Sequence, residues 1–345
     1  MERLPEVEQA AAPVDESFLS TLGIHRLPIP VPFMEAGGPV NACALENEDG
    51  TWTMFDTGVA TDEGSAALRA GLAQQGIDVA RISRIIVSHG HVDHYGNAQW
   101  LSEQSGARVF LHEGDLHKVC GDGRWFLQLE QHFDYYLKLG VPAATLEELL
   151  DGTKRQRSYA TQVDRARVTL VESGSRWRFK HFEAELIHFP GHTPGLLCLY
   201  AAAQRLLLAD DHLLARVSPN PLLDFEQGEG ATKFRSLSRY LESAKKVYDL
   251  DLDCVVPGHG PSFRGHRPLL DGLFEFYGRR QKKLLDRLAT APATVYELVN
   301  HIFPRRDVPR MYLMLSEVLG NLEVLEDRGV VARDADFRFA LTAAR

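Results

Sequence analysis

No stretch of this chain approaches the roughly 20 consecutive apolar residues of a membrane-spanning helix, and no membrane association is expected. Cysteine is scarce. Cys43, Cys120, Cys198 and Cys254 stand far apart with no C-x-x-C pair, which argues against a disulfide framework or a structural zinc knuckle and leaves buried free thiols as the expectation. Positive charge is also short: 38 Lys and Arg against 47 Asp and Glu give a net charge of -9, which disfavours the long basic surface that nucleic-acid binding needs. The opening "MERLPEVEQAAAPVDESFL" has acids throughout and no apolar core before a cleavage site, so a loose leader and a cytoplasmic protein are expected. Repeats of short period and low-complexity segments are missing as well.

What is present is the composition of a folded globular protein, with 44% hydrophobic and 25% charged residues. A length of 345 residues exceeds one ordinary core and predicts a large domain with a smaller one. From His25 to Asp56, short β-prone runs alternate with turn signals and read as a meander. A helix with Leu68, Leu72 and Ile77 on one face follows, then the strand "RIIVS", a helix from Asn97 to about Glu103, and the strand "ARVFLH". Residues 114–152 are helical in pattern and aromatic ("RWFLQLEQHFDYYLKLG"), and read as an insertion whose rings are expected to serve packing. The β pattern returns through "ARVTLVESG", "RWRFKHFEAELIHF", "LLCLYAAAQRLLLAD" and "DCVVPG". Two β-rich halves with helices outside predict a layered α/β sandwich. After "PGHGPSFRGHRP" three helical patterns and a short hairpin follow, the layout of a small winged-helix module.

The densest chemistry is "IIVSHGHVDHYGN", residues 85–97, where His89, His91, Asp93 and His94 crowd the end of a strand. Histidines at i and i+2 on an extended loop point the same way and can grip one ion. Asp93 and His94 enter the next helix and can face a neighbouring position. Imidazole with carboxylate suits zinc and other first-row divalent ions. "PGHTPG" at 190–195 and "PGHG" at 257–260 each project one histidine between glycines after an apolar run, and "LLLADDHLL" adds carboxylates at another strand end.

With "FDTG" at 55–58, these motifs stand in the order of the metallo-β-lactamase fold superfamily, which the chain resembles over about residues 20–265. The resemblance implies a four-layer αββα sandwich. It implies that His89, His91 and His192 bind a first metal, that Asp93, His94 and His259 bind a second, and that Asp211 bridges them. Asp211 is preferred to Asp210 because "DHLLARVSPNP" continues as the family does. Asp56 would steady the histidine loop from behind, as would His212 beside its ligand neighbour. The C-terminal part is similar to the winged-helix tail of a subgroup that includes relatives of glyoxalase II. The implied boundaries are a leader 1–19, a catalytic domain 20–267 with the insertion 114–152, and a winged-helix-like domain 268–345.

Two divalent ions, zinc first with iron or manganese as alternatives, would yield a bridging hydroxide and polarise a carbonyl or phosphoryl group. Asp93 and Asp211 are the acids closest to that chemistry. No dedicated general acid stands out, which favours a small thioester, ester or lactone over an amide. A nuclease, a mononuclear-iron dioxygenase and a DNA-binding protein with a vestigial metal site are the alternatives. The nuclease would need a basic approach surface, for which "GRRQKK" at 278–283 and "RRDVPR" at 305–310 are the candidates, each read first as a solvated face or loop. The expected partners are a small-molecule substrate and a second copy in a homodimer. His112, His117, His132, His181, His188, His266 and His301 lack ligand spacing and are expected to be surface or satisfied core.

Overall fold

Alternation along single strands sets the layers. In the computed structural model, which describes residues 11–33, 38–121, 124–219, 222–226, 232–303 and 310–342, Val40, Ala42 and Ala44 face one core while Cys43 and Leu45 of the same strand face another. In the second half Leu206 and Leu208 face that shared core, while Leu207 and Ala209 point the opposite way. A side-chain period of two makes each such strand a partition between two cores, and both sheets are therefore covered on both faces.

The strands run from β1 (Ala12–Pro13) through β2 (Ile24–Ile29), β3 (Val40–Glu46), β4 (Trp52–Phe55), β5 (Ile82–Ile86), β6 (Arg108–Leu111) and β7 (Val168–Leu170). Next come β8 (Arg176–Arg178), β9 (Glu183–His188), β10 (Leu197–Ala201), β11 (Leu206–Asp210), β12 (Asp224–Phe225), β13 (Lys233–Phe234), β14 (Cys254–Pro257) and β15 (Phe263–Arg264). A last pair, β16 (Val331–Arg333) and β17 (Phe339–Leu341), closes the described chain. One sheet has the order β2-β3-β4-β5-β6-β7 and the other β1-β15-β14-β11-β10-β9-β8. The first begins as the antiparallel meander and continues in parallel from β4 to β7. Helices Asp62–Gln74 and Ala98–Ser105 cover its outer face, and Ser236–Tyr248 with the start of His266–Leu288 cover the outer face of the second. The architecture is the four-layer αββα sandwich, followed by a C-terminal helical region.

Two packing features bear on the leader and on position 268. Residues 1–10 of the leader lie outside the described residues, but the next stretch is not loose: β1 pairs with β15, and Glu16 accepts from the Ser262 amide at 2.8 Å and from Arg26 at 2.7 Å. Unpaired edge donors at β15 and a cation on β2 give it partners that its acidic composition did not announce. Nor is position 268 a packing boundary. Leu269, Leu270 and Leu273 at the start of His266–Leu288 belong to the core of the second sheet, while Leu284 and Leu288 at its end pack with helices Val295–Ile302 and Met311–Asp327. β16 and β17 pair with each other and with neither large sheet.

The insertion forms helices Leu116–Val119, Arg124–Lys138 and Ala143–Arg157. Its Leu139, Val141, Leu146 and Leu149 enter the same core as the C-terminal helices. Of its aromatic run, side chains 125–129 lie outside the described residues, and Phe133, Tyr135 and Tyr136 pack against that core. The insertion and the C-terminal region are one packed body beside the open end of the sandwich.

Candidate metal centre

Strand ends converge at one edge of the sandwich. Asp56 follows β4 with φ 62°, Asp210 ends β11 with φ 47°, and His89 comes just after β5. Left-handed backbone at a non-glycine residue is held only where surrounding bonds enforce it. Here they do. The Asp56 Oδ1 accepts from the Ser88 amide at 2.7 Å, and Oδ2 lies 2.7 Å from the Ser88 hydroxyl and 3.0 Å from His94 Nδ1. Asp210 Oδ2 is 2.8 Å from His89 Nδ1 and its Oδ1 is 3.2 Å from His94 Nδ1. With carboxylates at their Nδ1 edges, His89 and His94 turn Nε2 to the opposite side.

Those Nε2 atoms face the other sequence-predicted groups. His91 Nδ1 is 3.0 Å from His89 Nε2 and 3.0 Å from His192 Nε2, and Asp211 Oδ2 is 3.4 Å from His192 Nε2. On the neighbouring side, Asp93 Oδ2 is 3.4 Å from His259 Nε2 and 3.7 Å from His94 Nε2. Asp211 reaches both groups, with Oδ2 3.6 Å from His94 Nε2 and Oδ1 3.7 Å from His259 Nε2. The structure thus brings His89, His91, His192 and Asp211 into one set of potential metal ligands and Asp93, His94 and His259 into another, each spanning no more than 4.8 Å between ligand atoms. His89, His94 and Asp210 also lie within that span, but there the carboxylate meets the Nδ1 edge that it orients.

The donor set fits divalent cations. Burial holds His91 well below the ordinary imidazole range and lowers His192 to about 4, so both are neutral. Three imidazole nitrogens then meet at 3.0 Å with too few protons to satisfy them all, while the buried His94 Nε2 and Asp211 Oδ1 have no hydrogen-bond partner. A positive ion between them removes both problems. Burial, then the adjacent Asp210, raises the Asp56 carboxyl to about 6. For Asp211 burial acts upward, but His259 and His94 outweigh it and hold the carboxyl below its usual range.

His212 is placed elsewhere. Its ring stacks on Phe189 at 5.0 Å, neither ring nitrogen has a hydrogen-bond partner, and burial lowers it to about 3. Chain adjacency to Asp211 puts it on the core side of the turn. His112 and His188, read as unconnected, stack on each other with centroids 3.7 Å apart.

Several supporting residues escaped sequence reasoning. Asn41 donates to the Pro257 and Gly260 carbonyls and so ties the His259 loop to the first sheet. Asn97 donates to the Thr57 and Val59 carbonyls, joining the Asp56 turn to the histidine loop. Asp115 does more. Its Oδ2 accepts from the Gly90 amide, between His89 and His91, and from the Thr193 hydroxyl beside His192, while Oδ1 accepts from Lys118 Nζ at 3.0 Å. Lys118 also pairs with Asp224. The only local hint is the spacing of Asp115 and Lys118 in "HEGDLHKV", which is common on any helix.

Gly191 has φ 150° and lies against the helix that covers the second sheet, where an added Cβ would stand 2.4 Å from Tyr240 Cα. Gly191→Ala is expected to cost about 1–3 kcal/mol through overpacking and to displace the His192 loop. Thermal denaturation alongside metal analysis checks this, and an unchanged melting temperature would show that the loop has room to move.

Potential metal ligands gathered at the strand ends of an αββα sandwich agree with the family comparison: the family model described as the metallo-beta-lactamase superfamily matches residues 36–259, and the chain belongs to that superfamily. It is a metallo-hydrolase of that class. A curated relative, "Probable metallo-hydrolase YqjP" of Bacillus subtilis, is 25% identical over 318 residues, covering 89% of this chain and 93% of its own. Among solved structures, the metallo-beta-lactamase family protein TTHA1429 from Thermus thermophilus is 27% identical with a TM-score of 0.77, covering 93% of this chain and 99% of that one. A beta-lactamase domain protein from Burkholderia ambifaria is 23% identical with a TM-score of 0.79, over 97% and 99% of the two chains, a likeness of fold.

Proposed function

We propose that this protein is a hydrolase of small thioesters, esters or lactones, similar to the glyoxalase II group, that works with two divalent ions. His89, His91 and His192 would hold one ion, Asp93, His94 and His259 the other, and Asp211 would bridge them. The observation that carries this reading is the position of Asp211, within 3.4–3.7 Å of ring nitrogens of both sets. When bound, such ions supply a hydroxide from water at neutral pH and a positive charge that polarises the scissile carbonyl. The chain's own part is orientation: Asp210 and Asp56 fix the tautomers and tilts of His89 and His94, and Asp115 holds the two histidine loops at one separation. Zinc is the first choice for this donor set, with iron or manganese as alternatives. A thiolate or alkoxide leaving group needs less protonation than an amide nitrogen, which favours the acyl substrates named.

The nuclease reading finds less support. In the run 278–283, Arg280 is buried against Glu317, Lys282 is 2.9 Å from Asp286 and Arg279 is 3.6 Å from Glu275, so three of its four cations are matched by acids. Residues 305–309 of the other run lie outside the described residues. We also read the C-terminal helices with the β16–β17 hairpin as a winged-helix-like unit. Four buried cysteines, with no disulfide among the described residues, support a reducing, cytoplasmic setting, and no described helix is long and apolar enough to cross a membrane.

Protein purified without chelator is expected to carry about two equivalents of divalent metal per chain, as two-metal chemistry requires. A reproducible single equivalent with full activity would overturn the two-ion mechanism, and oxygen consumption without hydrolysis would move the protein to the iron dioxygenases.

A further inference from the structure

Above the candidate ligands lies a cavity of about 170 Å³ whose floor includes His91, Asp93, His192, Asp211 and His259. Its walls are of another character. Phe33, Val92, Leu214, Leu222 and Leu313 line it together with Pro219, and no Lys or Arg is among the described lining residues. Tyr312 and Leu313 come from helix Met311–Asp327, and Gln156 from the last helix of the insertion, so the body outside the sandwich closes the site.

That wall is fixed in place. The Leu223 amide, next to Leu222 of the lining, donates to Ser316 Oγ at 2.9 Å, and Lys233 pairs with Glu323 at 2.7 Å. Helix Met311–Asp327 also lies so close to Ser236–Tyr248 that a Cβ on Gly320 would stand 2.9 Å from Leu237 Cβ. A preformed apolar wall favours an apolar group entering it, at about fourfold in affinity per buried methylene. A carboxylate or phosphate against the same wall would be desolvated without a cationic partner. A comparable cavity of about 150 Å³ holds one benzene, which sets the size of the occupant.

We infer that the substrate's acyl group is uncharged and apolar, up to about six carbons long, and that it lies against the wall to which Leu313 of the C-terminal helix belongs. This rests on the hydrolase reading above for the reaction, but the binding preference can be measured without turnover. Straight-chain alkyl hydroxamates from acetyl to decanoyl, titrated calorimetrically into the metal-loaded full chain, are expected to gain about three- to fourfold in affinity per methylene to about hexanoyl and then level off. The monohydroxamate of succinic acid should bind at least about tenfold more weakly than the uncharged pentanoyl compound. Leu313→Ala should move the plateau to longer chains and Leu313→Trp to shorter ones. If either variant fails to fold, the wild-type series still decides. A flat series, no binding by any member, or preference for the succinyl compound would overturn the inference. A rising series with no turnover of any thioester, ester or lactone would leave the pocket standing and sink the hydrolase reading, whereas turnover with a flat series would do the reverse.

Discussion

Asp211→Asn is expected to lower turnover by about a thousandfold and to reduce bound metal below two equivalents per chain. The carboxylate faces both candidate ligand sets and is kept charged by His259 and His94 in spite of burial, so under the two-ion proposal the amide would remove a negative charge shared by two cations. Several kcal/mol of transition-state stabilisation would depend on those ions, which corresponds to about three orders of magnitude in rate. Asp210→Asn is the control with a different expected size. Asp210 touches the Nδ1 edges of His89 and His94 rather than their Nε2 atoms, and loss of such an orienting carboxylate typically costs about 10–100-fold. Metal content and turnover of both variants on one generic thioester and one generic ester decide the matter. Should Asp210→Asn lose metal while Asp211→Asn keeps both ions and most of its rate, the bridge has been assigned to the wrong residue.

Asp115→Ala is expected to destabilise the metal-free protein by about 3–5 kcal/mol, the cost of removing one partner from a buried ion pair. The change leaves the Gly90 amide and the Thr193 hydroxyl without their acceptor, and leaves Lys118 with Asp224 alone. Burial acts to raise the Asp115 carboxyl, but Lys118 and then the Thr193 hydrogen bond outweigh it and hold it well below the ordinary carboxylate range. A depressed folded-state pKa contributes stability that is complete above the unfolded value and shrinks as the carboxylate protonates. The gap between wild type and variant should therefore be constant near neutrality and narrow as the pH falls below about 4. Urea denaturation in the presence of chelator measures it. A loss under about 1 kcal/mol at neutral pH would show that Asp115 is not holding the two histidine loops together.

These two residues also mark what was legible in the chain. Asp211 could be named because an apolar run ending in two acids is a local pattern, on which the family resemblance then chose between them, and strand-end loops leave such patterns within a few consecutive positions. The sandwich was readable for the same reason, since period-two strands and helical stripes are short-range signals. Asp115 has no such signature. Its partners include Gly90 and Thr193, 25 and 78 positions away, and the Lys118–Asp224 contact spans 106. His112 and His188 meet only because adjacent loops are brought together, and His212 shows the converse: neighbours along the chain can face opposite sides of a turn. The shared core of the insertion and the C-terminal helices was hidden likewise, because an apolar stripe does not name the surface it will cover.

That shared core gives the molecule a birth order. The last candidate ligand is His259, but Tyr312 and Leu313 are added about fifty residues later. At about 5–20 residues per second, several seconds of synthesis separate them. In that interval the nascent chain holds every candidate ligand while the insertion's Leu139, Val141 and Leu146 still wait for the helices that will cover them. Metal capture can thus precede the sealing of the pocket.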